Sequence, residues 1–469
     1  MTDTLAPPSR RREPGPRRRR ARYRRRGGAL GPPRTVPAVL RIWTAAVALA
    51  LVGLFAAVHS GVDEAREGLR VIGRDAGPQA VNTGTLYLAL SDMDAQLAGI
   101  LLIGREHRLG QGRAKALAIY EKRRREAGQA VLQAFDIAGQ NATGRETVQS
   151  VLDGLGAYER LAARALVLDE RAGHRAGPPP APVLAVYRQA TDLMRAQLLP
   201  QAYNLTLESA AIVRRTHVSE TDRATDALAR VAVAGVVLLG VLGGLQVTIS
   251  RRFRRAVSPP LALATAVALA ITALAATSLG RSSAHLRAAK EDGFDSALTY
   301  ARARAISNTA AADQVRWLID PARADTYEQV YFDTSQTIAY VPAGNLAAYY
   351  TALEKVPLKG GFLQSTKATD PVVVRYRAFQ KADRTLRGLA GAGRTRHAIV
   401  LRTGTMVGVY ADYDRELGAL VARGRTVFDD RITRAERALG GWGTGLPVGA
   451  AAVLALVLLG VRPRLAEFR

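Results

Sequence analysis

Four stretches of this 469-residue chain hold no Asp, Glu, Lys or Arg and are apolar nearly throughout: residues 42–62, 231–250, 261–280 and 438–461. A hydrocarbon core about 30 Å thick is crossed by about 20 helical residues, and each stretch reaches that length between charged flanks. A single run of this kind could be a helix buried in a soluble core. Four runs, two of them on either side of a short cationic hinge, predict four transmembrane helices of an all-α membrane protein. The third run has the least transfer free energy, because Ala262, Ala264, Ala266, Ala268 and Ala270 add little to Leu263, Val267, Leu269, Ile271 and Leu274. Charge is missing from the middle of every span, and with it the usual marks of a proton relay or ion pathway, so transport is disfavoured.

Orientation is read from the arginines. Lys plus Arg total 66 against 40 acidic residues, a formal charge of +26, which spread over a folded surface would suggest nucleic acid. It is concentrated instead in residues 1–41, with thirteen arginines against Asp3 and Glu13, in the hinge 251–256, and in the tail 462–469 with Arg462, Arg464 and Arg469. These three pieces hold 20 basic and 3 acidic residues, +17 of the total. Basic flanks stay on the cytoplasmic side, so both termini and the hinge are expected inside, in a multi-pass protein of the cell membrane. The charged leader is too long for a cleaved signal peptide, which makes the first span a signal anchor. The partner of this charge is expected to be the lipid bilayer and an acidic protein, with no nucleic acid. Ala, Gly and Arg dominate in the manner of a high-GC bacterium such as an actinobacterium. Cysteine is absent, which excludes disulfides, thiolate catalysis and cysteine-ligated metal centres.

Residues 63–228 and 281–437 are then two extracytoplasmic helical-bundle domains. In the first, Leu86, Leu90, Met93, Leu97, Ile100 and Leu101 share a face of one helix, and Leu117, Tyr120, Ala127, Val131 and Phe135 a face of the next. Val148, Leu152, Leu155, Tyr158, Leu161 and Ala165 follow the break at 139–144. A fourth helix runs from Val183 past Pro200, where a kink is expected, into the second span. Four such stripes predict a four-helix bundle. In the second domain a long helix leaves the third span through Phe294, Leu298, Ala301, Ile306 and Trp317 and ends near Asp320-Pro321. Pro342, Gly344, Pro357, Gly360 and Gly361 interrupt the middle, and helices over 373–390 and 395–438 lead into the fourth span. These spacings predict helices that run without a hinge from each domain into the bilayer.

Catalytic, cofactor-binding and metal residues are all expected to be none. His59, His107, His174, His217, His285 and His397 stand singly, without metal-ligand spacing. Asp92 and Asp94 are two apart on a helix and diverge by about 200 degrees, which does not make a cation site. Gly441-Trp442-Gly443-Thr444-Gly445 follows no strand and reads as interfacial, with Trp442 a headgroup-level anchor. No triad elbow, kinase signature or dinucleotide fingerprint is present, so an enzyme is not expected. Arg195, Arg214 and Arg215 could hold carboxylates if they face a cleft; otherwise they solvate a helix face.

Three motifs carry a resemblance: Leu86-Tyr87-Leu88-Ala89-Leu90-Ser91-Asp92-Met93-Asp94-Ala95, Tyr187-Arg188-Gln189-Ala190-Thr191-Asp192-Leu193-Met194-Arg195 running to Leu199-Pro200, and Phe294-Asp295-Ser296-Ala297 with Ala301-Arg302-Ala303. The chain resembles the GlnX family of actinobacterial four-span membrane proteins. The resemblance implies a non-enzymatic signalling adaptor that relays amino-acid occupancy of an extracytoplasmic solute-binding lipoprotein, GlnH, to a cytosolic serine/threonine kinase, PknG. The ligands implied are glutamate, glutamine and aspartate. One departure is that the family's acidic, glycine-initiated segment is replaced by Gly361-Phe362-Leu363-Gln364 and Ser365-Thr366-Lys367-Ala368. The alternatives are a direct small-ligand sensor with a chemoreceptor-like bundle, or a structural membrane component; a homo-oligomer stays open.

Overall fold

Apolar residues recur with the helical period and no segment alternates with period two, and in the computed structural model every regular element among the described residues is helical. The structure describes residues 36–466 except 139–141, 254–257, 359, 365, 367 and 368. The arginine-rich tail through residue 35, most of the cationic hinge, part of the 361–368 segment and residues 467–469 therefore lie outside the described residues. The first half contains α1 (Val36–Arg70), α2 (Gly77–Ile103), α3 (Arg113–Ala138), α4 (Ala142–Ala172), α5 (Ala181–Leu193) and α6 (Leu199–Phe253). The second contains α7 (Pro259–Ala288), α8 (Asp295–Ile319), α9 (Ala324–Ile338), α10 (Leu346–Lys355), α11 (Asp370–Gly391), α12 (Thr395–Thr403), α13 (Thr405–Ala438) and α14 (Trp442–Ala466).

Three π turns join helices without ending them: Val71–Ala76 between α1 and α2, Met194–Leu198 between α5 and α6, and Ala289–Phe294 between α7 and α8. The kink expected at Pro200 takes this form. The Leu199 N–H bonds to the Met194 carbonyl, so a widened turn stands just ahead of the residue that lacks an N–H. Helix α6 alone has 55 residues and reaches about 80 Å, far more than a bilayer requires. The hinge-free passage expected into the fourth span is not found. The chain breaks at 439–441, where Gly441 takes φ +81°, and α14 starts afresh at Trp442.

Among the described residues, five helical stretches are long and apolar enough to cross a membrane. They differ in what surrounds them. In Gly84–Ile103, 67% of the most apolar window is buried inside the protein, against 22–28% in the other four. Those four form a stem around Leu54 and Val58 of α1, Leu238 and Leu242 of α6, Ala268 and Ala275 of α7, and Val453 and Val457 of α14. Its outer surface is apolar too, with Leu49, Val236, Leu269, Leu274, Val448 and Leu459 all exposed. A surface of that kind suits lipid and not water.

The two regions expected to be separate bundles share one core. A single hydrophobic cluster runs from Leu86 through Leu205 and on from Ala303 to Leu420. We call this unit the head. Its centre is the pairing of α2 with α8, flanked by α3 and α6 on one side and by α9 and α13 on the other. Each half thus sends a membrane-type helix through a π turn into one of the two central head helices. A helix apolar around most of its circumference must be covered on more than one side, and α2 could not be covered by its own half alone.

Candidate functional site

The α2–α8 contact is polar at its middle. The Tyr87 and Thr309 hydroxyls lie 3.0 Å apart, those of Ser91 and Thr309 3.5 Å apart, and Asn308 donates to the Leu88 carbonyl at 3.3 Å. Two turns further along α8, Arg316 crosses from the second half into the first. Its Nε and Nη2 both donate to Asp94 Oδ2, at 3.0 and 2.7 Å, and its Nη1 donates to Asp313 Oδ1 at 2.6 Å. Thr191 of α5 donates to the same Asp94 oxygen at 2.7 Å, and Tyr158 of α4 to Oδ1 at 3.3 Å. Arg316, Asp94 and Asp313 are all 0% exposed. Burial works against the Arg316 charge, but Asp94 and Asp313 outweigh it and hold the guanidinium ionised, well above its ordinary pKa. Burial raises the Asp313 carboxyl, with Arg316 opposing. The Arg316–Asp94 pair therefore ties together four helices, α2, α4, α5 and α8, drawn from both halves.

Further pairs close the same seam. Arg188 of α5 donates to Asp320 at 2.8 Å, Arg323 to Asp192 at 2.8 Å, and Arg396 of α12 to Glu106 at 2.6 Å. The Gln111 N–H reaches the Thr403 carbonyl at 2.7 Å. The rest of the second half is held by tyrosines and amides. Tyr331 donates to Gln380 at 3.1 Å, Gln380 to Tyr376 at 2.9 Å, and Tyr350 to Asp383. Arg387 bonds Asp383 at 2.9 Å and lies over the Trp317 ring, 4.7 Å from its centroid.

The residues singled out in the sequence are dispersed by the fold. Asp92 and Asp94 do diverge: Asp92 accepts from Arg123 of α3 at 2.6 Å, whereas Asp94 turns inward to Arg316. Among the described residues no group of three His, Asp or Glu could hold a metal ion. Arg195 lies over the Tyr327 ring, 5.3 Å from its centroid, and Arg214 and Arg215 are both exposed. Arg214 does line a cleft. The groove lies between α6 and the π turn leading into α8, has a volume of about 270 Å³, and is walled by Ala210, Val213, Phe294 and Leu298 with Arg214, Lys290, Asp295 and Arg302. Nearer the stem, a smaller cavity between α1, α6 and α7 contains His217, Glu220 and Ser282. Burial, reinforced by Lys290, lowers the His217 pKa. Trp442 starts α14 and lines a crevice with Phe55, His59 and Pro447.

Sequence reasoning missed Arg316 and Asp313. The signal was present, because both stand in the run Ala310-Ala311-Ala312-Asp313-Gln314-Val315-Arg316-Trp317-Leu318-Ile319, which is apolar on several faces. Charges inside such a run need buried partners.

Residues 68–218, about a third of the chain, match the family model described as the actinobacterial sensor domain. No curated protein and no solved structure matches the chain. The matched segment runs from the end of α1 to the middle of α6 and contains Asp94, Tyr158 and Thr191, whereas Arg316 and Asp313 lie beyond it. The first half of the head is thus similar to a sensor domain, set on a stem of membrane-type helices.

Proposed function

We propose that this chain is a non-catalytic transmembrane signalling protein whose head senses an extracytoplasmic state and whose stem carries it inward. The observation that carries this reading is continuity: α2, α6 and α8, which build the head, are prolonged into three of the four stem helices, and Arg316 locks the two halves together at the far end. A change in how the halves pack would alter the spacing or tilt of the stem helices, provided two arrangements are populated. The similarity to a sensor domain supports both the sensing role and the absence of catalysis.

Four of the five apolar helices cross the bilayer in this reading. Helix α2 follows α1 in one unbroken helical course and is buried in the head, so it rises away from the membrane instead of recrossing it. In this reading the head lies outside and both termini inside, which the positive flanks support. The resemblance to the GlnX family supplies the partners we propose, a solute-binding lipoprotein on the head and a serine/threonine kinase on the cytoplasmic face.

The test is a detergent pull-down with the full chain and with a form lacking residues 1–34, each with and without glutamate, glutamine or aspartate. A solute-binding lipoprotein is expected with both forms, in a yield that changes with the amino acid. The kinase is expected with the full chain only. That contact should weaken with salt, since exposed charges are screened over about 8 Å at physiological ionic strength. Recovery of no solute-binding protein with either form would sink the outer half of the proposal.

A further inference from the structure

The groove between α6 and α8 is built for an anion. Three cations and one acid line it, and Lys290 is already paired with Asp295 at 2.8 Å. Arg214 and Arg302 have no carboxylate partner among the described residues, and the Arg302 Nε–H is buried without an acceptor. A buried cationic donor left without an acceptor is costly. Arg377, Arg387 and Arg402 also leave one such donor unpaired, but each gives another N–H to an acceptor, the Val356 carbonyl, Glu328 and the Ala311 carbonyl. Arg302 makes no such second bond among the described residues and borders the groove, which points to an acceptor supplied from outside.

The floor of the groove narrows the class of that acceptor. Val213, Phe294 and Leu298 are themselves buried and close the floor with apolar atoms, on which a short hydrocarbon spacer can rest. Two unpaired guanidinium groups match two carboxylates, each suited to the planar fork of arginine. The volume of about 270 Å³ is below that of sites for drug-sized ligands and suits a molecule of four to five carbons. A lipid headgroup does not reach it. Arg214 lies 17 residues before the second apolar stretch and Lys290 ten after the third, about 25 and 15 Å along their helices, whereas the headgroup layer is only about 5–8 Å deep.

We infer that Arg214 and Arg302 form a binding site for a short-chain dicarboxylate, which bridges the helix of the second span to the helix of the third. The site goes beyond the partner reading and stands whether or not a solute-binding protein docks on the head.

Succinate and glutarate, titrated calorimetrically into the purified full chain, test it, with acetate and inorganic phosphate as comparison probes. Saturable binding of a dicarboxylate is expected, with acetate and phosphate at least about tenfold weaker, since each loses a charged hydrogen-bond set or the apolar contact. Arg302→Gln and Arg214→Gln should each weaken binding by about tenfold or more while the helical circular dichroism and unfolding midpoint stay near those of the parent. Arg215→Gln, at an exposed neighbour outside the groove, should leave binding unchanged. The inference is overturned if neither dicarboxylate saturates up to about 10 mM, a range that covers even millimolar sites. It is equally overturned if phosphate binds as tightly as succinate, or if binding survives both groove variants.

Discussion

Arg316 and Asp313 sit three residues apart on α8 and share a hydrogen bond, yet the physics assigns them different weights. Replacing Arg316 by Met leaves Asp94 and Asp313 buried with no cation between them, and removing one partner of a buried pair costs about 3–5 kcal/mol. Asp313→Asn keeps an acceptor for Nη1 and removes a charge that burial already disfavours, so a change within about 1 kcal/mol is expected. Chemical denaturation of the full chain in detergent compares the two; an Arg316→Met variant as stable as Asp313→Asn would show that the cluster does not clamp the halves. Because the folded state raises the Asp313 pKa, it binds that proton more tightly than the unfolded chain does. This group's contribution is therefore full below its ordinary value of 3.8 and is lost as pH rises through the folded value, and Asp313→Asn should remove that slope. Asp94 was visible in the sequence as one of a divergent pair. Its partner, 222 residues away, was not, because spacing along a helix reports a face and not what covers it.

Helices were the most legible level, since a repeated apolar stripe requires only the 3.6-residue period. Pro200 marked one π turn by its missing N–H. Pro78 stands in the same place, two residues past the turn Val71–Ala76, and was passed over, whereas the turn at Ala289–Phe294 carries no such residue and is not readable from periodicity. The break before α14 was hidden for a different reason: Gly440 and Gly441 belong to an uncharged run, and hydropathy continues across them. Close approach is the other element-scale feature. A Cβ on Gly424 of α13 would stand 2.8 Å from the Ala297 backbone nitrogen of α8, whereas one on Gly418 would meet nothing within 4 Å. Gly424→Leu must push α13 off α8 and should destabilise by about 1–3 kcal/mol or more. Gly418→Ala, on the same helix, should stabilise by up to about 1 kcal/mol through helix propensity. Unfolding midpoints that move in the same direction for both would refute backbone-close packing of α13 on α8.

At the scale of the whole molecule, the halves of the chain were legible and their union was not. Each half shows an apolar run, a set of amphipathic helices and a second apolar run, and nothing in that order says whether the two sets pack separately or together. The hint lay in α2, where Leu86, Leu90, Met93, Leu97, Ala98, Leu101 and Leu102 occupy more than one face and all are buried. A shared head constrains topology, because α2 and α8 pair only if both regions lie on one side of the bilayer. The same argument makes topology testable by labelling, and the native chain contains no cysteine to interfere. Gly361 is a poor reporter, since it takes φ +81° and a Cβ there would lie 2.7 Å from the Ile338 carbonyl oxygen. Arg175, in the exposed turn after α4, and Glu354, exposed on α10, replace a side chain without touching the core. An impermeant maleimide should modify Arg175→Cys and Glu354→Cys in intact cells. Ser9→Cys and Phe253→Cys, on the arginine-rich side, should react only after permeabilisation, because basic flanks are retained in the cytoplasm. Labelling of Arg175→Cys without Glu354→Cys would separate the two regions across the membrane, and a head with one core could not then exist in the cell.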